Sequence, residues 1–66
     1  MRIFLNGEPR ECALAATVTT LLAETGNGDR RVAVEVNREI VPRSQHAKHE
    51  LHESDRVEIV SAIGGG

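Results

Sequence analysis

The residues with the clearest chemical potential stand at the end of the sequence, where an apolar run closes on Gly64, Gly65 and Gly66. Glycine has no β-carbon, so a narrow pocket can admit the last residue and a nucleophile can approach its carboxylate with little hindrance. The four residues from Ile63 to Gly66 span about 13 Å when extended. This reach predicts a mobile arm that carries its carboxylate into the catalytic pocket of another protein.

A carboxylate reacts poorly as an electrophile, because its charge is delocalised and its leaving group would be oxide. It must first become a mixed anhydride, for instance with AMP, before sulfur can attack it. The sequence contains neither a Walker-type phosphate-binding loop nor a metal-ligand motif, so the activating enzyme must be a separate partner. We therefore predict a carrier and co-substrate without enzymatic activity or a cofactor of its own. The alternative interpretation of the three glycines is a frayed end without function.

Length and charge narrow the possible functions. A chain of 66 residues forms one domain, near the lower limit at which a chain can bury enough apolar surface to fold alone. A net charge of -2 argues against binding to nucleic-acid phosphates, and a single aromatic residue gives no platform for stacking bases. We predict no nucleic-acid partner.

Cysteine usage and the first residues predict the compartment. Cys12 is the one cysteine and cannot form an internal disulfide, which is typical of a reducing interior. The opening "MRIFLNGEPRE" reaches polar turn residues after three apolar positions, too soon for a signal-peptide core or a membrane span. We expect a cytoplasmic protein with no membrane partner.

The beginning of the chain predicts a β-hairpin. Asn6 and Gly7 both tolerate positive φ, and the segment "RIFLNGEPRECAL" places short strand-like runs on either side of them. Alternation along the first run directs Ile3 and Leu5 to one face and Phe4 to the other. Phe4 is therefore expected to point away from the core.

A short helix follows the hairpin. Thr17 can act as its N-cap, and Val18, Leu21 and Leu22 stand at the i, i+3 and i+4 positions of one helical face. Gly26 can end the helix. A helix of about two turns does not persist alone in water, so its apolar face must pack on a sheet.

The segment "RRVAVEVNREIVPR" predicts two more strands. Val32, Val34 and Val36 share one side of the third strand, and a turn follows near Asn37. Pro42 cannot donate a ladder hydrogen bond, so the short fourth strand is expected at an edge of the sheet.

The last part of the chain predicts a polar loop and a final strand. The segment "SQHAKHELHESD" is polar and is expected to direct Leu51 into the core. The final strand, "RVEIVSAI", should turn Val57 and Ile59 inward and Val60 outward.

Together these elements predict an α+β domain, in which one helix packs on one face of a mixed sheet of about five strands. Residues 1-63 form this domain and residues 64-66 form a flexible tail. The strand order does not follow from the sequence alone. If the first and last strands are neighbours, Phe4 and Val60 form an exposed apolar patch that can dock a partner. The alternative is that the two are ordinary scattered surface residues.

Two further features have weaker chemical potential. His46, His49 and His52 recur at a spacing of three, which on a helix would be conceivable for a transition metal. No carboxylate or cysteine is locally placed to complete a closed site, so we predict no metal and a solvated polar segment. Cys12 has no identifiable base beside it and is expected to be a small core residue.

The segments "MRIFLNGE", "TVTTLLAE", "VAVEVNREIVPRSQH" and "SDRVEIVSAIGGG" together resemble the ThiS family, the sulfur carriers of thiamine biosynthesis. The resemblance covers the full length of the chain. Its most specific parts are "VN" followed by "IVPR" between Val36 and Arg43, and the terminal pair Gly65 and Gly66.

The resemblance implies the ubiquitin-like β-grasp fold, with the first and last strands parallel and adjacent. It also implies that an E1-like adenylyltransferase of the ThiF type uses ATP to adenylate the Gly66 carboxylate, with Gly64 and Gly65 recognised as the tail. A cysteine desulfurase or a rhodanese-type protein would then supply sulfur as a persulfide, giving a thiocarboxylate. Thiazole synthase, of the ThiG type, would receive that sulfur.

Two alternatives stay open at this point. The small subunit of molybdopterin synthase uses the same tail chemistry for a pterin precursor, although it is usually longer. A ubiquitin-like module would instead be an interaction domain, or would join its carboxylate to a lysine of a target protein.

Overall fold

The computed structural model describes residues 1–61, which form one five-stranded mixed sheet with a helix over one face. The predicted tail residues Gly64, Gly65 and Gly66, together with positions 62 and 63, lie outside the described residues. The regular elements follow the predicted order, with a 3₁₀ turn at Arg43–Gln45 before the last strand. They are β1 (Arg2–Leu5), β2 (Glu8–Glu11), α1 (Val18–Glu24), β3 (Val32–Val36), β4 (Glu39–Ile40) and β5 (Arg56–Ser61).

The order of strands across the sheet is β2-β1-β5-β3-β4, so the last strand of the sequence lies at the centre. β5 runs parallel to β1, with Phe4 level with Arg56, and antiparallel to β3 along the whole of β3. The parallel, adjacent first and last strands implied by the family resemblance are confirmed. The short fourth strand lies at an edge, as the position of Pro42 predicts.

Two hairpins join the outer strands to their neighbours, each through a two-residue turn. φ is positive at both turn positions, 50° at Asn6 and 86° at Gly7 in one turn, 52° at Asn37 and 71° at Arg38 in the other. This pattern defines type I′ turns, whose twist matches that of the flanking strands. Both predicted turns are confirmed.

Three residues adopt positive φ without the tolerance of glycine or asparagine. The φ angles of Ala15, Arg38 and Ser54 are 66°, 71° and 69°. In this region the Cβ atom lies close to the following carbonyl oxygen, which costs about 1–2 kcal/mol per residue. All three residues are exposed, so the fold imposes this backbone strain at its surface.

The N-terminus of α1 is fully hydrogen-bonded by its cap and by a distant loop. The Thr17 side chain accepts from the Thr20 N–H at 3.2 Å, which confirms Thr17 as the N-cap. The N–H groups of the first two helical residues donate to the carbonyl oxygens of His49 and His46, each at 3.1 Å. A free helix N-terminus leaves these donors without an intrahelical partner. The loop around residues 46–49 therefore replaces water at this end of the helix.

The C-terminus of α1 is closed by a Schellman motif. The Asn27 N–H donates to the Leu22 carbonyl at 2.8 Å, and the Gly26 N–H donates to that of Ala23 at 3.3 Å. Gly26 adopts a φ of 78°, as this motif requires. The helix therefore ends just before the predicted glycine, at Glu24 with Thr25 as its C-cap. No helix among residues 1–61 is both long and apolar enough to cross a membrane.

The core is aliphatic and lies between α1 and the sheet. Every position predicted to face inward is buried or packs against the buried cluster, including Leu51 from the polar loop. The largest fully buried side chains are Ile3, Leu21, Val18, Val34 and Val57.

The prediction of a solvated polar segment is wrong at His46, whose exposed fraction is 8%. The 3₁₀ turn brings the imidazole back towards β4, where Nε2 lies 3.0 Å from the Val41 carbonyl oxygen and donates to it. This bond satisfies the ring in a site closed to water. His49 is half-buried and His52 is exposed. Among the described residues, no group of three metal-ligating side chains comes close enough to hold an ion.

We predict that Thr17→Ala lowers the free energy of unfolding by about 1 kcal/mol, because the Thr20 N–H loses its capping oxygen. Urea denaturation followed by circular dichroism measures this loss. Thr19→Ala is the matched control, since Thr19 lies inside the same helical turn with an exposed side chain and alanine favours the helix. Equal destabilisation by the two substitutions would contradict the capping role.

Candidate functional site

The candidate functional site is the surface around β5, because Ser61 at its end is the last described residue before the predicted reactive tail. α1 covers one face of the sheet, and we call the other face the open face. Strand alternation places on the open face, from β2 to β4, the side chains of Pro9, Phe4, Arg56, Glu58, Val60, Ala33, Glu35 and Ile40.

Phe4 and Val60 both lie on the open face, as predicted, but they are not in the same cross-strand row. Phe4 is level with Arg56, so Val60 stands four residues farther along β5, about 13 Å away. Val60 is 57% exposed. Phe4 is half-buried beneath Arg56, whose Cζ atom lies 6.0 Å from the ring centroid. The two apolar side chains therefore share a face with Glu58 between them, and their docking role stays a prediction.

An acidic pair occupies the middle of the open face. Glu35 and Glu58 stand directly opposite each other in the antiparallel register of β3 and β5. Neither belongs to an ion pair within residues 1–61, and the neighbouring cation of Arg56 lies over Phe4 instead. Ile40 is the next cross-strand neighbour of Glu35 and is 71% exposed. Like charges in this position repel and oppose folding.

Asn6 bonds the backbone of β5 close to its end. Its Oδ1 accepts from the Ile59 N–H at 2.9 Å, and its Nδ2 donates to the Ile59 carbonyl at 3.4 Å. The Asn6 backbone N–H also donates to the Val57 carbonyl at 2.8 Å. Sequence reasoning assigned Asn6 to the turn and missed these contacts, because they join residues at opposite ends of the chain.

Asn37 and Asp55 hold the beginning of β5. The Asn37 Oδ1 accepts from the Arg56 N–H at 3.0 Å, and its Nδ2 donates to a carboxylate oxygen of Asp55 at 3.0 Å. Asp55 is buried and also accepts from the His52 N–H at 2.8 Å. Sequence reasoning placed a turn near Asn37 and missed the side-chain contacts of both residues. The sequence signal that could have indicated these contacts was the asparagine at the first position of each hairpin turn, Asn6 and Asn37.

A groove of about 240 Å³ adjoins the end of β5. Its walls come from both ends of the sequence and from the loop after α1, with lining residues Leu5, Asn6, Asn27, Arg30, Val32, Ile59 and Ser61. Ser61, the last described residue, lines this groove.

Cys12 is half-buried and packs against the core, as predicted. Burial raises the pKa of the Cys12 thiol, and the nearby charge of Glu24 raises it further. Since the thiolate is the nucleophilic form, this environment disfavours reaction at Cys12.

The mixed sheet, with a parallel pair of first and last strands and one covering helix, defines a ubiquitin-like β-grasp domain. The crystal structure of the thiamine biosynthesis protein ThiS from Geobacter metallireducens has the same fold. It matches with a TM-score of 0.86 and 30% sequence identity over 100% of both chains. The ThiS family model matches residues 3–66. The chain belongs to the ThiS family.

The chain is similar to the whole of one relative and to a small part of a second, longer one. The sulfur carrier protein ThiS of Escherichia coli is 33% identical over 66 residues, which is 100% of both proteins. A thiazole synthase of Paramagnetospirillum magneticum is 47% identical over all 66 residues of this chain. The chain spans only 20% of the length of that synthase.

We predict that Glu58→Gln raises the free energy of unfolding by a few tenths to about 1 kcal/mol at low salt, because it removes the repulsion with Glu35. The gain should shrink at high salt, since exposed charges are screened. Urea denaturation at two salt concentrations measures both effects. Glu8→Gln, on an exposed acid of β2 outside this pair, is the control and should change neither value. A salt-independent gain would assign the effect to something other than charge.

Proposed function

We propose that this protein is a sulfur carrier for thiazole formation in thiamine biosynthesis, with the Gly66 carboxylate as the group that is activated and loaded. The observation that carries the proposal is the ThiS family match over residues 3–66, because it extends through all three glycines. The central position of β5 supports it, since the strand that precedes the tail is held between two neighbours.

The proposed chemistry begins with a carboxylate that another protein must energise. A Gly66 oxygen attacks the α-phosphorus of ATP on an E1-like adenylyltransferase, pyrophosphate leaves, and an acyl adenylate forms. The terminal sulfur of a persulfide, from a cysteine desulfurase or a rhodanese-type donor, then attacks the carbonyl carbon and expels AMP. A thiol reduces the resulting acyl disulfide by two electrons, breaking its S–S bond and releasing the thiocarboxylate. In these steps the carrier is a co-substrate.

The folded body must provide most of the recognition in this scheme. Ordering each tail residue costs about 1–2 kcal/mol of conformational entropy, so three glycines alone contribute little net affinity. The open face offers half-buried Phe4 and exposed Val60 on either side of Glu58. We assign the docking of the adenylyltransferase to this face, with Gly64 and Gly65 passing to its active site.

Thiazole synthase is the proposed acceptor of the sulfur. The thiazole synthase of Paramagnetospirillum magneticum contains, within one polypeptide, a segment 47% identical to the whole of this chain. A covalent connection of this kind keeps two partners at high effective concentration. We therefore propose thiazole synthase as the partner that receives sulfur from this carrier.

Deleting Gly66 should abolish sulfur loading and leave the melting temperature nearly unchanged, because the described core ends at Ile59. The test incubates the protein with the E1-like adenylyltransferase, ATP and a persulfide donor, and reads the intact mass. Wild type should exchange one terminal oxygen for sulfur. Cys12→Ala is the control and should still load, because it leaves the whole tail unchanged.

The outcomes separate the candidate functions. Loading of the chain that lacks Gly66 would contradict the role of its carboxylate. A wild-type product joined to a lysine of another protein would instead identify a conjugated module. A thiocarboxylate that a pterin precursor accepts and thiazole synthase does not would identify a molybdopterin sulfur carrier.

Phe4→Ala should raise the dissociation constant for the adenylyltransferase about tenfold, which corresponds to roughly 1.4 kcal/mol. It should change the fold less, because Phe4 does not belong to the buried core cluster. Isothermal titration calorimetry gives the affinity and thermal unfolding gives the stability. Leu14→Ala is the control, since Leu14 is 80% exposed and lies in the loop between β2 and α1, outside the strands of the open face. An unchanged affinity for Phe4→Ala would remove Phe4 from the docking surface.

A further inference from the structure

We infer that Asn6 is a positioning residue, which fixes the direction in which the reactive tail leaves the folded body; this inference rests on the proposed function. Its starting point is the choice of residue in the first hairpin turn. A φ of 50° at this position would be satisfied by glycine, which already occupies the next position. Asparagine is also a preferred residue at this position of a type I′ turn, so a role beyond the turn must be argued from the hydrogen bonds of its side chain.

The register of the sheet shows that role. β1 pairs with β5 at only two levels, Phe4 with Arg56 and Leu5 with Val57, because β1 then turns away. β5 continues to Ser61. The side-chain amide of Asn6 bonds both backbone groups of Ile59, at 2.9 Å and 3.4 Å, where a further β1 residue would have paired. Asn6 thus extends the parallel ladder by one step with a side chain.

We call the two hydrogen bonds between the Asn6 side chain and the Ile59 backbone the clasp. The clasp lies close to the end of β5, from which the chain continues into the tail. On the other side, β5 pairs with β3 as far as Ser61, which lies opposite Val32. Asn6 and β3 therefore hold the end of β5 from both sides, and Ile59 is only two residues from the end of the strand. Without Asn6, one edge of this segment would lose its restraint. The tail would then start from a wider range of directions, and a smaller fraction of docked molecules would present Gly66 productively.

Asn37 provides a matched comparison within the same molecule. It also occupies the first position of a type I′ turn, with a φ of 52°, and its Oδ1 also accepts a backbone N–H of β5, that of Arg56 at 3.0 Å. This bond lies at the opposite end of the strand from the tail. Asn37→Gly therefore removes two side-chain hydrogen bonds, those to the Arg56 N–H and to the Asp55 carboxylate, without loosening the exit.

The test compares wild type, Asn6→Gly, Asn37→Gly and Asn6→Asp at a temperature where all four are folded. The single-turnover rate of tail adenylation is measured at saturating adenylyltransferase, together with the dissociation constant. Asn6→Gly should slow adenylation about threefold to tenfold, the effect of one modest hydrogen bond. Its dissociation constant should not change, because the open face is intact. Asn37→Gly should stay within about twofold of wild type.

Asn6→Asp is the conservative variant. A carboxylate oxygen can still accept the shorter bond from the Ile59 N–H, and aspartate tolerates positive φ. It loses the bond from Nδ2 to the Ile59 carbonyl, so it should restore part of the adenylation rate. If Asn6 served only the turn, Asn6→Gly and Asn6→Asp would both keep the wild-type rate, because both residues tolerate positive φ.

Three results of the rate and binding measurements would overturn the inference. These are an unchanged rate for Asn6→Gly, an equal slowing by Asn37→Gly, or a loss of rate explained by weaker binding. Amide hydrogen exchange of Ile59 in the protein alone gives a further check, since the clasp predicts faster exchange in Asn6→Gly. Unchanged exchange would refute the clasp whatever the enzyme does. A wild-type protein that is never adenylated would refute the proposed function instead.

Discussion

The structure depends on the pairing of its last strand with its first. β5 lies between β1 and β3, and its second residue, Val57, has no exposed surface. The core cannot close until this strand arrives, because Ile3, Val34 and Val57 come from three adjacent strands. Contacts between the two ends of a chain require the closure of the longest loop, which makes such pairing entropically demanding. β5, the strand that precedes the proposed reactive tail, is therefore also the central strand of the fold.

The two faces of the sheet differ in burial and in charge. The face under α1 is aliphatic and closed, and the helix contributes Val18, Leu21 and Leu22 to it. The open face sets Glu35 against Glu58 and leaves Val60 largely exposed. Proteins commonly depart from locally favourable arrangements at functional surfaces, where a partner supplies the missing interactions. The departures here are concentrated on the face that we assign to docking.

Much of the fold could be predicted from the sequence, because short-range patterns determine it. Three features each depend on residues only a few positions apart. They are the turn at Asn6 and Gly7, the N-cap at Thr17 and the end of α1 just before Gly26. Alternation likewise identified Val57 and Val60 as inward and outward. These signals need no knowledge of which strands are neighbours.

The remaining features depend on contacts that no local pattern encodes. His46 belongs to a polar segment and is nevertheless buried, because Val41 and α1 supply hydrogen-bond partners for its ring and its carbonyl. The opposition of Glu35 and Glu58 requires the strand order. The bond from Asn6 to Ile59 requires both the strand order and the register. The outward direction of Phe4 and Val60 was thus predictable from alternation. Their separation along β5 and the polar contacts around them needed the structure.

The strained backbone at Ala15, Arg38 and Ser54 has a practical consequence for protein engineering. Glycine at these positions would remove the clash of a β-carbon held at positive φ, although it also loosens the unfolded chain. None of the three lies in a strand or in α1. Relief of this strain would therefore stabilise the domain at loop positions, outside the strands that form the open face.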